Sequence, residues 1–274
     1  MKVVCIFPIV NNEKNIPTII EKFRDFIAPQ LSILGATNIE LKFAGTDYVF
    51  VRTNQVLEVP KGKGEGILDC LKNVAIVPDF VIACDGSGAI PFEDIVDIFE
   101  VLVSDSSMAC VMANRIGNKS INDSRYLIER FEIFSLIKLF NHKKGIPDGQ
   151  CGLWGYRHGK LKINDTETEI KLTGIGYEIE LDLVSEVVEK KLEYSFVDIN
   201  LPPRQVSSSF DYANNLKKFK FIISKYPQLK FIISEYFNQY ENTVEYNNLI
   251  NKPEVKKTWE NYKENVFKII NKQI

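Results

Sequence analysis

Asp79-Phe80-Val81-Ile82-Ala83-Cys84-Asp85-Gly86-Ser87-Gly88 decides the fold. Phe80 to Cys84 is a short apolar run bracketed by carboxylates, the pattern of a buried strand. Pro91-Phe92-Glu93-Asp94-Ile95 then opens a helical pattern. A carboxylate at the carboxyl end of a buried strand, followed by a glycine turn, sits where open α/β sheets bind ligands. That position suits a divalent metal held against a phosphate. Ser87 stands where a second carboxylate would complete an Asp-x-Asp pair.

Outward from this stretch, strands and helices alternate. The pattern predicts a first strand over 2–8, ending at Pro8, and a helix over about 16–28 with Ile19, Ile20, Phe23, Phe26 and Ile27 on one face. Strands follow at 39–43 and 48–52, and a helix at 64–73 after Lys61-Gly62-Lys63-Gly64. Beyond Asp85 come a helix at 92–103, strands at 108–113 and 152–156, a helix at 176–190 and a last strand at 194–199. Such alternation implies an α/β fold with a mostly parallel sheet flanked by helices. Residues 125–141 form an amphipathic helix carrying Phe131, Phe134 and Phe140. It reads either as a core-packing helix or as one lying on a membrane surface beside a lipid acceptor.

From about 211 the character changes to Lys, Asn, Tyr and Phe without strand signal. Lys220-Phe221-Ile222-Ile223-Ser224 recurs as Lys230-Phe231-Ile232-Ile233-Ser234, two copies being too few for a solenoid. The expected organisation is one domain over 1–210 and a helical C-terminal appendage over 211–274, available for a partner or for homo-oligomer formation.

Bulk composition narrows the class. The chain has 274 residues, 45% hydrophobic and 26% charged, with a net charge of −2. No global basic field favours nucleic acid. Five cysteines, odd in number and never spaced C-x-x-C, argue against zinc and disulfides and for a reducing compartment. Two histidines exclude a histidine-rich metal centre. No apolar run reaches the ~18 residues a membrane span requires, so the expected location is cytoplasmic, with peripheral membrane contact through the 125–141 helix as a variant.

Four segments, taken in order, carry the chemistry: Pro8-Ile9-Val10-Asn11-Asn12-Glu13-Lys14-Asn15-Ile16; Lys61-Gly62-Lys63-Gly64; Asp85-Gly86-Ser87 with Pro91, Glu93 and Asp94; and Asp148-Gly149-Gln150-Cys151-Gly152-Leu153-Trp154. Gly176-Tyr177-Glu178-Ile179-Glu180-Leu181 and Val197-Asp198-Ile199 with Pro203-Arg204 extend the series. Together they resemble the family 2 glycosyltransferases of GT-A (Rossmann-like) fold, nearest the branch of dolichyl-phosphate mannose synthase and polyprenyl-phosphate sugar transferases. The resemblance covers about 2–210, and motifs in register count for more than any one alone.

The resemblance implies transfer of a sugar, with inversion, from a nucleoside-diphosphate sugar to a glycan or lipid-phosphate acceptor in surface-glycan or lipid-linked sugar assembly. Pro8, Asn11, Asn12, Glu13, Lys63, Asp85 and Ser87 would bind the nucleotide sugar. Asp85 would hold Mg²⁺ or Mn²⁺ against the diphosphate. Asp148, Gln150, Glu178 and Glu180 would be catalytic. A phosphate acceptor arrives ionised, whereas a hydroxyl acceptor needs a base, first Asp148 and then Glu178 or Glu180. Arg115, Arg130 and Arg204 would grip the acceptor or its phosphate, which guanidinium forks suit.

Each residue also has a plainer role. Asp85 would cap its own turn. Lys61 and Lys63 would sit in a solvated turn. Arg115 and Arg130 would be surface ion-pair partners. Cys84 and Cys151 would be small buried hydrophobes. The sequence departs from the family at Ser87, at Val10, which replaces an aromatic, and at Phe43-Ala44-Gly45-Thr46-Asp47, where a D-D-G-S-like turn is usual. These departures set a second expectation beside the first, a non-catalytic nucleotide-sugar-binding partner subunit. A sugar-phosphate nucleotidyltransferase would want a glycine-rich loop after the first strand, which 8–16 lacks.

Overall fold

The computed structural model describes residues 1–9, 13–44, 49–50, 62–115, 123–163, 166–201 and 212–271. In chain order the first elements are β1 (Lys2–Pro8), α1 (Ile16–Lys22), α2 (Ala28–Ile33), β2 (Asn38–Ala44) and β3 (Val49–Phe50). Next come α3 (Lys63–Lys72), β4 (Phe80–Cys84), α4 (Asp94–Ser104), β5 (Met108–Arg115) and α5 (Asp123–Leu139). Then follow β6 (Leu153–Arg157), β7 (Leu161–Ile163), β8 (Thr166–Thr168), α6 (Ile179–Glu189) and β9 (Glu193–Ile199). Helices α7 (Tyr212–Lys225), α8 (Leu229–Glu241), α9 (Val244–Leu249) and α10 (Pro253–Asn271) complete the series.

The chain forms two compact units. The first comprises Met1–Gly117 with Cys151–Pro202, the second Asn118–Gln150 with Pro203–Ile274. Helix α7 starts at Tyr212, and α5 packs with α7, α8, α9 and α10.

The first unit is a seven-stranded sheet in the order β3-β2-β1-β4-β6-β5-β9. β1 is parallel to β2 and β4, and β5 to β9. β6 lies antiparallel between β4 and β5, and β3 is antiparallel to β2. The sheet is thus mostly parallel, with only β3 and β6 reversed. All five residues of β4 are buried, as are six of the seven in β1. Strands covered on both faces need such continuous apolar runs. Phe7 meets Phe92 edge-on at 5.5 Å and Phe80 meets Phe99 at 5.4 Å, tying sheet to helix layer. Each such buried side chain contributes about 1.5–3 kcal/mol.

Two local departures have physical causes. The helix expected to end near 28 continues to Ile33 through a π turn at Phe23–Ile27, where the Ala28 N–H donates to the Phe23 carbonyl. Pro29 follows directly. It lacks an N–H and crowds the carbonyl four residues back, which a widened turn relieves. The small β7–β8 antiparallel hairpin was not anticipated. Asn164-Asp165, between two short alternating runs, was its sequence signal.

The second unit packs around aromatic rings. Phe131 of α5 stacks on Phe237 at 4.1 Å and has Trp259 at 5.3 Å, Tyr240 at 5.6 Å and Phe219 at 6.0 Å. Leu127, Ile128, Ile133 and Leu136 are buried beside it. The apolar stripe of α5 is therefore core, and the membrane-surface reading of this helix is set aside. Among the described residues, no helix is long and apolar enough to cross a membrane. The repeated Lys-Phe-Ile-Ile segments lie in α7 and α8. Ile223 and Ile233 are both buried, but Phe231 is 82% exposed.

Candidate functional site

The carboxyl ends of β1 and β4 lie side by side because the two strands are parallel neighbours. The Gly86 N–H donates to the Pro8 carbonyl at 2.9 Å, joining the two strand ends. A Cβ at Gly86 would come within 2.8 Å of that same carbonyl oxygen, so the approach requires glycine. Asn15 donates to the Gly86 carbonyl at 2.8 Å, tying the segment after β1 to the turn after β4. Asp85 is placed by the bond from its N–H to the Gly152 carbonyl, 2.9 Å. Its carboxylate occupies the space that a Cβ on Gly152 would fill.

Lys63 faces this carboxylate. Its Nζ lies 2.5 Å from Asp85 Oδ1 and also pairs with Glu180. Lys63 and Glu180 side chains are each only 6% exposed, while that of Asp85 is 38% exposed. One ammonium thus serves two carboxylates. Burial works to lower the Lys63 pKa, but the attraction of Asp85 and Glu180 outweighs it and holds the pKa above its ordinary value.

Gly62-Lys63-Gly64 has a backbone role in this arrangement. The N–H groups of Gly64 and Glu65, at the start of α3, donate to the carbonyls of Gly176 (3.1 Å) and Ile175 (2.8 Å). A Cβ at Gly64 would collide with the Gly174 carbonyl. The glycines therefore let a second backbone satisfy the first turn of the helix. Carboxylates around α6 hold that second backbone. Glu178 accepts from the N–H groups of Ile175 (3.1 Å) and Gly176 (2.9 Å), and Asp182 from those of Thr173 (2.6 Å) and Gly174 (2.9 Å). Glu186 accepts from Lys171 N–H at 2.8 Å.

Several expected site residues thus have structural commitments. Glu178 caps backbone and Glu180 neutralises Lys63. Ser87 is exposed and its Oγ accepts the Ala89 N–H at 3.3 Å, a local turn bond. Arg130 donates to Glu245 at 2.8 Å, to the Pro147 carbonyl at 2.7 Å and to the Ile146 carbonyl. It braces the turn before Asp148 rather than standing as a surface partner. Arg115 ends β5, half-buried and paired in register with Ile199. Glu13 opens a short 3₁₀ turn. Val10, Asn11, Asn12, Asp47, Lys61 and Arg204 lie outside the described residues.

Asp148 and Gln150 belong to the second unit, both buried. Asp148 Oδ1 accepts the Gln150 N–H at 3.3 Å. Gln150 Nε2 donates to Glu132 at 2.7 Å, and Gln150 Oε1 accepts from Lys218 at 2.7 Å. Tyr262 donates to the other oxygen of Glu132 at 3.1 Å. Glu129 binds Arg125 at 2.7 Å and lies 3.6 Å from Lys218. The sequence reading missed Glu129, Glu132 and Lys218. Their signal was charge within an apolar stripe, as in Leu127-Ile128-Glu129-Arg130-Phe131-Glu132-Ile133.

Among the described residues, no three His, Cys, Asp or Glu side chains converge as a metal cage. Among the described residues, Asp85 offers a partly exposed carboxylate at the strand ends. A hard cation would find one protein ligand there and would take the rest of its shell from a bound phosphate and water.

No family model matches the chain, and no curated protein matches it. Solved structures do. Glucosyl-3-phosphoglycerate synthase from Mycobacterium tuberculosis, in complex with Mn²⁺, UDP and phosphoglyceric acid, aligns with TM-score 0.56 at 15% identity, over 81% of this chain and 78% of that one. The same enzyme with Mn²⁺, UDP-glucose and phosphoglyceric acid gives 0.56 at 15% identity, over 81% and 79%. Mannosyl-3-phosphoglycerate synthase from Rubrobacter xylanophilus gives 0.57 at 13% identity, over 83% and 74%. These neighbours are glycosyltransferases of GT-A fold, and the chain has that fold.

Proposed function

We propose that this chain is a glycosyltransferase that moves a sugar from a nucleoside-diphosphate sugar to an acceptor. The observation that carries the reading is the placement of Asp85 and Lys63 at the adjoining carboxyl ends of β1 and β4. On a doubly wound sheet, that edge is where nucleotides bind. The GT-A fold is shared with enzymes solved with UDP and Mn²⁺, which supports the same donor class here.

The chemistry follows from charge. An acceptor oxygen attacks the anomeric carbon as the bond from that carbon to the diphosphate breaks, and the nucleoside diphosphate leaves with the bonding pair. Mg²⁺ or Mn²⁺, when bound, neutralises the diphosphate. Asp85 is the protein ligand proposed for it, and the Lys63 ammonium adds a fixed positive charge beside that ligand. Pro8 and the segment after it are proposed to shape the base and ribose site. A hydroxyl acceptor must lose its proton, and Asp148 is the residue proposed to take it. A phosphate acceptor needs no base. Acceptors of either kind, glycan or lipid phosphate, fit this scheme, as does the inverting outcome implied by the family resemblance.

One observation favours a second reading. Ser87 is turned to its own backbone and Asp85 is already paired with Lys63, so the metal site is weaker than a two-carboxylate one. A nucleotide-sugar-binding partner subunit without turnover would show the same features.

Thermal unfolding with UDP, GDP, CDP, dTDP and ADP, each with and without Mn²⁺, separates these readings from none at all. A ligand at 100 times its Kd stabilises by about 2.7 kcal/mol, a shift of a few degrees for a chain of this size. One nucleotide should stabilise the wild type and not Asp85→Asn. Sugar transfer from the corresponding donor then distinguishes enzyme from binding subunit. No shift with any nucleotide would remove both.

A further inference from the structure

The second unit buries a set of charged and polar groups that the proposed chemistry does not use. Glu129, Glu132, Lys218 and Gln150 are all nearly inaccessible. They come from three places in the chain. Glu129 and Glu132 sit one helical turn apart on α5, Lys218 comes from α7, and Gln150 ends the Asp148-Gly149-Gln150 turn. Tyr262 of α10 closes the set through Glu132.

The geometry points to Lys218 and Glu132 as positioning residues that hold the Gln150 amide in one orientation and so fix the turn carrying Asp148. This inference rests on the reading of Asp148 as proton acceptor. A carboxamide has an accepting end and a donating end. Here the accepting end meets an ammonium at 2.7 Å and the donating end meets a carboxylate at 2.7 Å. Reversing the amide would set N–H against ammonium and C=O against carboxylate, two repulsions between groups buried from bulk solvent. The backbone N–H of the same Gln150 bonds the Asp148 carboxylate. Arg130 braces the carbonyls just before it. Side chain and main chain of one short turn are thus held from both sides.

The hold depends on charge. Ionised Glu132 accepts from both Gln150 and Tyr262. A proton on Glu132 converts one accepting oxygen into a donor and weakens that pair of bonds. The groups facing Glu132 are Lys218 from α7, Tyr262 from α10, Gln150 from the turn and Glu129 from its own helix. Burial pushes the Glu132 carboxyl up to about 7, and Glu129 adds to the rise. Lys218, Gln150 and Tyr262 oppose it. The turn is therefore held at a pH well above 7 and loosens as pH falls through that value.

The side-chain NH₂ signals of Gln150, identified by their loss in Gln150→Glu, read this directly in ¹⁵N spectra between pH 5.5 and 9. They should shift with a midpoint near 7 in the wild type, and that step should vanish in Glu132→Gln. With the nucleotide sugar that stabilises the wild type, Lys218→Met should lower kcat at least tenfold, leave the donor KM within twofold and keep the melting temperature within a few degrees. Lys218→Arg should restore part of the loss. Glu132→Gln should lose less turnover than Lys218→Met and should flatten the acid limb of the kcat profile. Gln150 signals that are the same in the wild type and in Glu132→Gln would overturn the inference. So would unchanged kcat in Lys218→Met, or a loss matched by a fall in melting temperature. If the wild type turns over no donor, the proton-acceptor reading of Asp148 falls, and the amide signals alone decide whether Lys218 and Glu132 hold the turn.

Discussion

The two units solve the same electrostatic problem differently. In the first, one buried ammonium, Lys63, serves two carboxylates, Asp85 and Glu180. In the second, two cations, Arg125 and Lys218, and two neutral groups, Gln150 and Tyr262, share Glu129 and Glu132. The first arrangement concentrates risk in one residue, while the second spreads it over four. A buried charge deprived of its partner is costly, whereas one with several partners keeps some of its compensation.

The largest expected effect tests that contrast. Lys63→Met should destabilise the first unit by about 3–5 kcal/mol, the cost of breaking a buried pair by removing one partner. Glu180, with its side chain only 6% exposed, bears most of that loss. Lys218→Met should cost clearly less, since Arg125 and Gln150 remain beside Glu129 and Glu132. Urea unfolding of both variants checks the order, and equal losses would break the comparison. A double change, Lys63→Met with Glu180→Met, should recover most of the stability lost in the single variant.

Next in size is Gly152→Ala. The new methyl would fall on the Asp85 carboxylate, so carboxylate or strand must move, at about 1–3 kcal/mol. Nucleotide binding should fall with it, read in the same thermal panel. Retained binding would show that Asp85 does not contact the donor complex. The smallest effect belongs to the second unit. Asn215 is buried in α7 one turn before Lys218, and its Nδ2 has no partner among the described residues. Asn215→Leu removes an unpaired donor and should be neutral or stabilising by up to about 1 kcal/mol. A loss beyond that would mean that the amide has a partner of its own.

Most of the sheet and its helices were legible in the first unit because central strands such as β1 and β4 are short apolar runs and helices such as α4 repeat on one face; the β7–β8 hairpin was not. Asp85, Lys63 and Glu180 were legible one at a time, through motif resemblance. Their meeting was not, since Lys63 and Glu180 lie 117 residues apart in the chain and only the fold joins them. The glycines flanking Lys63 were read as a turn before a helix. Their function, admitting the backbone of 174–176, is a contact between segments that no local pattern encodes. In the second unit, α5 was legible as a helix but not as the centre of an aromatic cluster. Glu129 and Glu132 broke its apolar stripe, and their partners Lys218 and Tyr262 came from the tail where no motif was found.

The chain carries two tryptophans, and the units hold one each: Trp154 in β6 and Trp259 in α10, both buried. All five thiols, Cys5, Cys70, Cys84, Cys110 and Cys151, are buried in the first unit. Burial raises the pKa of Cys5 and of Cys70 to about 12, so a disulfide reagent reaches these thiols only when that unit opens. The native molecule is in this sense already labelled. Thiol release times the opening of the first unit alone, while emission from Trp154→Phe follows only the second. The order in which the halves come apart can be read without attaching a dye.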